Sequence, residues 1–155
     1  MRESGSVNAD VLSLPSPQEG ASRAILMNAS IQIAIAAFLL FIGVATGAFG
    51  AHALTGLVDI NLMAVWHTAV LYLLVHGLGL LGLAATQHLL PLRLQSVAYS
   101  FLFVGTLIFS GSLFLLVLSG QGWLGALTPI GGMLMLAGWL CTVVAAIKQY
   151  KDSSK

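Results

Sequence analysis

Charged side chains are scarce in this sequence. Only 7% of the 155 residues are Asp, Glu, Lys or Arg, whereas 58% are hydrophobic. A soluble domain carries about 25% charged residues, and a water-soluble fold with this composition would leave most of its apolar residues facing water. The composition therefore excludes an ordinary soluble protein and favours a chain surrounded by lipid. The net charge of +1 offers no basic surface for nucleic acid.

Chemistry-bearing motifs are also missing. The single cysteine, Cys141, cannot form an intrachain disulfide, and no metal-ligand spacing or nucleophile–base pair is visible. Residues 24–58 and 60–92 contain no charged residue, and after Arg93 the next one is Lys148. Because intramembrane charges mark most proton and cation pathways, we expect neither an ion-driven pump nor an enzyme. No cofactor is predicted.

The uncharged segments are long enough for four membrane-spanning helices. A helix needs about 20 apolar residues to cross the hydrocarbon core. We predict spans near 31–52, 62–84, 97–118 and 127–147, and a turn at 119–122 separates the last two. These segments are continuously apolar and lack the alternation of a membrane β-strand. The predicted fold is an all-α integral membrane protein, a four-helix transmembrane bundle.

The ends of the chain differ from the apolar segments. Residues 1–30 mix small, polar and charged residues without apolar periodicity, which predicts a disordered tail. Residues 31–148 form the predicted membrane domain, and residues 149–155 a short C-terminal tail. The acidic residues of the N-terminal tail argue against a mitochondrial transit peptide, and the first apolar segment is too long for a signal peptide.

The basic residues indicate the orientation. Arg2 and Arg23 precede the first span, Arg93 separates the second and third, and Lys148, Lys151 and Lys155 follow the fourth. All six therefore lie on one side, which the positive-inside rule makes cytoplasmic, so both termini are predicted inside. Trp66 is then expected at the outer interface and Tyr99 at the inner one, as in aromatic belts.

His76 is the polar residue predicted deepest in the membrane. It lies about three residues past the centre of the second span, and Tyr72, four residues earlier, shares its helical face. An intramembrane imidazole indicates ligand binding or a proton relay. The simpler interpretation, a neutral histidine bonded to a neighbouring helix, is favoured because no carboxylate partner is present.

Two further histidines flank the first predicted outer loop. The side chains of His52, His67 and Asp59 are of types that bind metal ions, but their spacing matches no zinc motif. Haem ligation by two histidines is possible on ligand type alone. We favour histidines that bond to the loop backbone, and we predict no metal site.

Small residues are abundant in the spans and are expected to let helices approach closely. The predicted packing glycines are Gly43, Gly47, Gly50, Gly111, Gly131 and Gly132. Leu39, one turn before Gly43, is expected to face lipid.

Polar and small residues from all four spans fall in the predicted outer half of the membrane. This predicts a common cavity open towards the outside. The candidate ligand-binding residues are His52, His67, Tyr72, His76, Ser110, Ser112 and Thr128.

The same stretches carry a family pattern. In order, they are Gly47-Ala48-Phe49-Gly50-Ala51-His52, Trp66 with Thr68, Tyr72-x-x-x-His76, Phe109-Ser110-Gly111-Ser112-Leu113, and Thr128-Pro129-Ile130-Gly131-Gly132 with Gly138-Trp139. Over residues 31–148 the chain resembles the small bacterial inner-membrane family catalogued as domain of unknown function 423, which is similar to the animal transmembrane protein 256. The resemblance implies four transmembrane helices and a location in the bacterial cytoplasmic (inner) membrane. It implies no activity.

Three function classes remain, in decreasing order of preference. The first is a non-catalytic accessory or assembly protein that packs against other membrane-protein subunits or a second copy of itself. The second is a binder or carrier of a small molecule or lipid, with the predicted cavity as its site. The third, a membrane enzyme, has the least support. Purification in mild detergent discriminates the first two, because one predicts a co-purified subunit and the other a bound small molecule.

Overall fold

Four long helices make up the fold. The structure, a computed structural model, describes the backbone of residues 17–154 and the side chains of residues 29–154. The helices are α1 (Pro17–Phe49), α2 (Ile60–Ala85), α3 (Leu92–Ser119) and α4 (Thr128–Ser153). A π-helix, Gly50–Leu54, continues α1, and short 3₁₀-helices, Gln87–Leu89 and Gly122–Ala126, lie in the other two connections. All four helices are long and apolar enough to cross a membrane, and the described residues include no strand, which confirms the all-α transmembrane fold.

Local sequence explains where the helices begin and end. The Asp59 side chain accepts a hydrogen bond from the backbone N–H of Asn61 (2.8 Å) and so caps the start of α2. α3 ends at Ser119, and the next residue, Gly120, has a φ of 69°, in the left-handed region that glycine adopts without strain. Pro129 lies in the first turn of α4, where its missing N–H costs no helical hydrogen bond.

The helices are longer than the predicted spans. α1 begins at Pro17, so residues 17–30, for which we predicted disorder, are helical, while residues 1–16 lie outside the described part of the chain. α4 likewise continues to Ser153, into the predicted C-terminal tail. The apolar pattern marks the hydrocarbon-facing segment, whereas backbone hydrogen bonds extend each helix beyond it. Lys and Gln at the end of α4 are good helix formers.

The helices pack in the order of the sequence, α1 against α2, α2 against α3 and α3 against α4. The central helices α2 and α3 are consequently more buried than α1 and α4. The main core cluster joins all four helices and includes Ala36, Leu73, Leu80, Leu102 and Met135. Leu39, expected to face lipid, is also buried in this core.

Three of the six predicted packing glycines lie at close contacts. A Cβ atom on Gly43 would lie 2.5 Å from the Leu74 side chain, and one on Gly131 would lie 2.5 Å from the backbone N of Phe109. A Cβ on Gly50 would overlap the Trp66 indole. These positions allow α1 to approach α2, and α4 to approach α3.

The other three glycines have more room. A Cβ on Gly47 would meet Val70 at 3.5 Å, and one on Gly132 would meet the Phe109 ring at 3.9 Å, both ordinary contact distances. A Cβ on Gly111 would meet nothing within 4 Å. Gly111 therefore makes no close contact with another helix in the described part of the chain, and its packing role stays a prediction.

Close contacts also occur at glycines outside the predicted six, and two of these glycines lie between α3 and α4. A Cβ on Gly105 would lie 2.8 Å from the carbonyl O of Gly131, and one on Gly138 would lie 2.7 Å from the Leu102 side chain. Both belong to the α3–α4 interface, which is therefore the closest approach of two backbones in the bundle.

Candidate functional site

Several polar side chains inside the bundle have hydrogen-bond partners within it. Trp66 is 2% exposed, its Nε1–H donates to the carbonyl O of Thr46 (3.0 Å), and its ring packs on Phe114 with centroids 4.6 Å apart. The sequence placed Trp66 at the outer interface, but the side chain lies inside the bundle, where the missing side chain of Gly50 makes room for it. Trp66 therefore connects α1 to α2 and α3.

A second polar group joins α1, α2 and α3. Gln95 is 1% exposed, and its Nε2 donates to Gln32 Oε1 (3.0 Å) and to the carbonyl O of Leu83 (3.3 Å). The Tyr99 hydroxyl donates to the carbonyl O of Gln32 (2.6 Å). Tyr99, expected at the inner interface, is thus buried. This cluster was not predicted from the sequence, although two glutamines in or beside apolar segments are a visible signal of it.

The hydroxyls near the α3–α4 connection are mainly bonded to each other. Ser112 Oγ donates to the carbonyl O of Phe109 (3.0 Å), so its contact with Thr128 Oγ1 (3.0 Å) has Thr128 as the donor. Ser110 Oγ is buried without a hydrogen-bond partner in the described part of the chain. Rotation towards the carbonyl of Thr106, four residues earlier, would give it the usual helical partner. Ser112 and Thr128 therefore bond to each other across the contact between α3 and α4.

His52 and His67 do not join a common site with His76. Both are exposed, and His52 lies in the π-helix after α1. The described residues contain no group of three His, Cys, Asp or Glu side chains placed to hold a metal ion. The metal alternative from His52, His67 and Asp59 therefore has no support in the structure.

Tyr72 and His76 lie together on α2 and pack against α3 and α4. Their rings are stacked, with centroids 5.6 Å apart and planes at 12°. The Tyr72 ring also stacks on Phe109 of α3, with centroids 4.3 Å apart and planes at 25°. His76 contacts Trp139 of α4 at 6.1 Å in a tilted arrangement. Three helices thus contribute four aromatic rings to one place.

These rings line an open cavity, which we call the aromatic recess. Its volume is about 220 Å³, and its walls are Tyr72, His76, Phe109, Gly132, Met135, Leu136 and Trp139. A second depression of about 290 Å³ adjoins it on α2, lined by Leu71, Tyr72, Val75 and His76. Tyr72 is 37% exposed and lies at the middle of α2, so the recess opens sideways at the depth of the hydrocarbon core.

The polar atoms of the recess are only partly used by the protein. His76 is 8% exposed, and its Nδ1 contacts the carbonyl O of Tyr72 at 3.0 Å. A carbonyl can only accept, so Nδ1 carries the proton and Nε2 of the neutral ring is an acceptor. Within the described residues, neither His76 Nε2 nor the Tyr72 hydroxyl has a hydrogen-bond partner. The recess therefore presents one unpaired acceptor and one hydroxyl in a low-dielectric environment.

The recess differs from the predicted cavity in depth and in composition. Of the seven candidate ligand-binding residues, only Tyr72 and His76 line it. The wall contributed by α3 is Phe109, so Ser110 and Ser112 point elsewhere on the same helix. Phe109 and Trp139 occur in the family pattern but were not identified as site residues. Whether these two side chains face the recess depends on how α3 and α4 are rotated about their axes, and that rotation follows from packing and not from sequence spacing.

The sequence matches a family model over residues 46–132, described as protein of unknown function (DUF423). These residues include the π-helix, all of α2 and α3, and the glycines at the start of α4. They therefore also include four of the residues that line the recess, whereas Trp139 lies beyond the match.

Relatives with similar sequences are named as membrane proteins. A UPF0382 membrane protein of Staphylococcus haemolyticus is 40% identical over 116 residues, which is 75% of this chain and 94% of the relative. The UPF0382 membrane protein YwdK of Bacillus subtilis is 38% identical over 117 residues, 75% of this chain and 95% of the relative. No solved structure matches the chain.

Proposed function

The chain belongs to DUF423, a family of membrane proteins of unknown function. We propose that it is a non-catalytic protein that binds a small amphipathic molecule or lipid in the aromatic recess. This proposal rests on one observation: the Tyr72 hydroxyl and His76 Nε2 have no hydrogen-bond partner among the described residues, and both residues line a recess that faces lipid. A polar group without a partner in hydrocarbon costs free energy. A ligand with complementary polar atoms would recover that cost.

The proposal includes a location and an orientation. We place the chain in the bacterial cytoplasmic (inner) membrane with both termini in the cytoplasm. Supporting this, the start of α3 carries the exposed Arg93 and the end of α4 carries the exposed Lys148 and Lys151. The α1–α2 and α3–α4 connections carry no Lys or Arg. A Cys introduced at Asp59 or Gln121 is expected to react with an impermeant thiol reagent added to intact cells. Labelling only after cell lysis would contradict this orientation.

Binding is tested by blocking the recess. A larger side chain at Gly132 has room to start, since a Cβ there meets only the Phe109 ring, and it then occupies the recess. Gly132→Leu is therefore the blocking variant. Gly111→Leu is the matched control, because a Cβ at Gly111 meets nothing within 4 Å.

The measurement is mass spectrometry of the small molecules that co-purify in mild detergent. The wild type and Gly111→Leu are expected to retain the same compound in near-stoichiometric amount, and Gly132→Leu to lose it. Equal retention of every compound by all three proteins would refute binding in the recess.

The accessory or assembly role favoured by the sequence is the second candidate. The observation that supports it is the outer face of α1, where Phe38 and Phe41 stack on each other (6.3 Å) and Val44 follows, all more than 60% exposed. A helix of another subunit, or a second copy of the chain, would bury these rings. Stoichiometric co-purification of a second protein, lost in Phe38→Ala but kept in Gly132→Leu, would favour this candidate.

A further inference from the structure

We propose that the ligand of the aromatic recess is the head group of a quinol, a flat uncharged ring that carries hydroxyl groups and an apolar tail. This inference rests on the proposed function, since it names the class of molecule that the same recess binds. Four properties of the recess support it: its flat walls, its lack of charge, its size, and the polarity of its two unpaired atoms.

Three of the rings that line the recess are flat surfaces at small angles to one another, and they stack directly on each other. The planes of Tyr72 and His76 differ by 12°, and those of Tyr72 and Phe109 by 25°. Aromatic rings prefer offset stacking or edge-to-face contact at centroid distances of about 4.5–7 Å. A flat ring that adds to this stack therefore gains more contact than a branched aliphatic chain does.

The recess carries no charged side chain. A phosphate or ammonium group would have to give up its hydration without an ion-pair partner, which is strongly unfavourable in a low-dielectric region. Phospholipid head groups are therefore poor ligands at this depth. A neutral polar ring avoids the cost.

The size of the recess fits a head group and not a whole lipid. Its volume of about 220 Å³ lies below the range of roughly 300–1,000 Å³ that holds a drug-sized ligand. The adjoining depression, about 290 Å³, has Leu71 and Val75 among its walls. The first part of an apolar tail would lie there, in contact with lipid.

The unpaired atoms favour the reduced form of the ring. His76 Nε2 is an acceptor, because Nδ1 donates to the carbonyl O of Tyr72. A quinol hydroxyl can donate to Nε2, whereas the carbonyl oxygens of a quinone cannot. The Tyr72 hydroxyl can donate to an oxygen of either form. The oxidised ring would thus leave His76 Nε2 unpaired, and a site with an unpaired buried polar group discriminates against that ligand.

The test compares decylubiquinol with oxidised decylubiquinone on immobilised full-length protein in detergent, with the bound ligand measured after extraction. We expect saturable binding at one site, with a Kd about tenfold lower for the reduced form, the effect of one hydrogen bond. His76→Phe keeps a ring but removes the acceptor, so it should remove the preference. Tyr72→Phe should weaken both forms about equally, by about three- to tenfold.

Different results would contradict the binding of a quinol and the binding of any ligand in the recess. Equal affinity of the two forms for the wild type, or binding of decylubiquinol unchanged in Gly132→Leu, would overturn the assignment of a quinol. If the wild type still retains another compound that Gly132→Leu loses, the recess binds a ligand of a different class and only the present inference is wrong. Melting temperatures near that of the wild type would show that His76→Phe and Tyr72→Phe are folded. If His76→Phe is not folded, the binding measurements on His76→Gln and Tyr72→Phe decide whether the ligand is a quinol.

Discussion

A single methyl group at Gly131 is expected to destabilise the bundle, because α3 and α4 meet there through their backbones. A Cβ on Gly131 would lie 2.5 Å from the backbone N of Phe109 and 2.8 Å from the carbonyl O of Gly105. No change of rotamer can relieve a contact with backbone atoms. To restore the ordinary distance of at least 3.4 Å, the two helices must separate locally by about 0.9 Å (3.4 minus 2.5).

The expected loss of stability follows from this separation. Adding a methylene to a well-packed core costs about 1–3 kcal/mol, and moving the helices apart also lengthens the interhelical hydrogen bond between Ser112 and Thr128. Alanine in place of glycine gains up to about 1 kcal/mol in helix propensity. At the adjacent Gly132, where a Cβ would meet Phe109 at 3.9 Å, only that gain applies. We expect Gly131→Ala to be about 1–3 kcal/mol less stable than Gly132→Ala.

The measurement is reversible unfolding in mixed micelles, in which increasing amounts of a denaturing detergent are added and helix content is followed by circular dichroism. Gly131→Ala, Gly132→Ala and the wild type are compared under one condition. Gly111→Ala serves as a further control, since a Cβ at Gly111 meets no other helix. Equal unfolding midpoints for Gly131→Ala and Gly132→Ala would show that α3 and α4 do not meet through their backbones at this point.

Two further predictions concern the buried hydrogen bonds. Trp66→Phe keeps an aromatic ring in the core but loses the hydrogen bond to the Thr46 carbonyl, so the free energy of unfolding should fall by about 0.6–1.7 kcal/mol. Trp123→Phe, at an exposed position, should leave the free energy of unfolding unchanged. Equal effects of the two substitutions would contradict the buried position of Trp66. Gln95→Leu removes the bonds that Gln95 donates, and a double-mutant cycle with Gln32→Leu should show a coupling free energy of about 0.5 kcal/mol or more. Strict additivity of the two substitutions would rule out a stabilising contact between the glutamines.

The number and type of the helices could be predicted from the sequence because charge and hydropathy determine them directly. An uncharged apolar segment of this length has few alternatives to a membrane helix. The faces of the helices could not be predicted in the same way. In lipid, both the core side and the outer side of a helix are apolar, so Leu39 and Trp66 were assigned to the lipid or the interface although both are buried.

The sequence predicted only the part of the candidate site that lies on one helix, α2. Tyr72 and His76 are four residues apart, and that spacing alone places them on the same face of α2. Phe109 and Trp139 come from α3 and α4, and their part in the recess depends on how those helices are rotated. That rotation is decided by close glycine contacts such as Gly131 with Phe109. Sequence spacing within one helix contains no information about it.

Hydrogen bonding separates the structural polar residues from those available to a ligand. Trp66, Gln95 and Tyr99 each donate to an acceptor on another helix, so their polar atoms already stabilise the bundle. Tyr72 and His76 form no such interhelical bond in the described residues, and their free polar atoms lie in one recess at the depth of the lipid. Polarity within an apolar span is therefore not by itself the mark of a site. The polar atom must also lack a partner in the fold and be reachable from the membrane, and this pair meets both conditions.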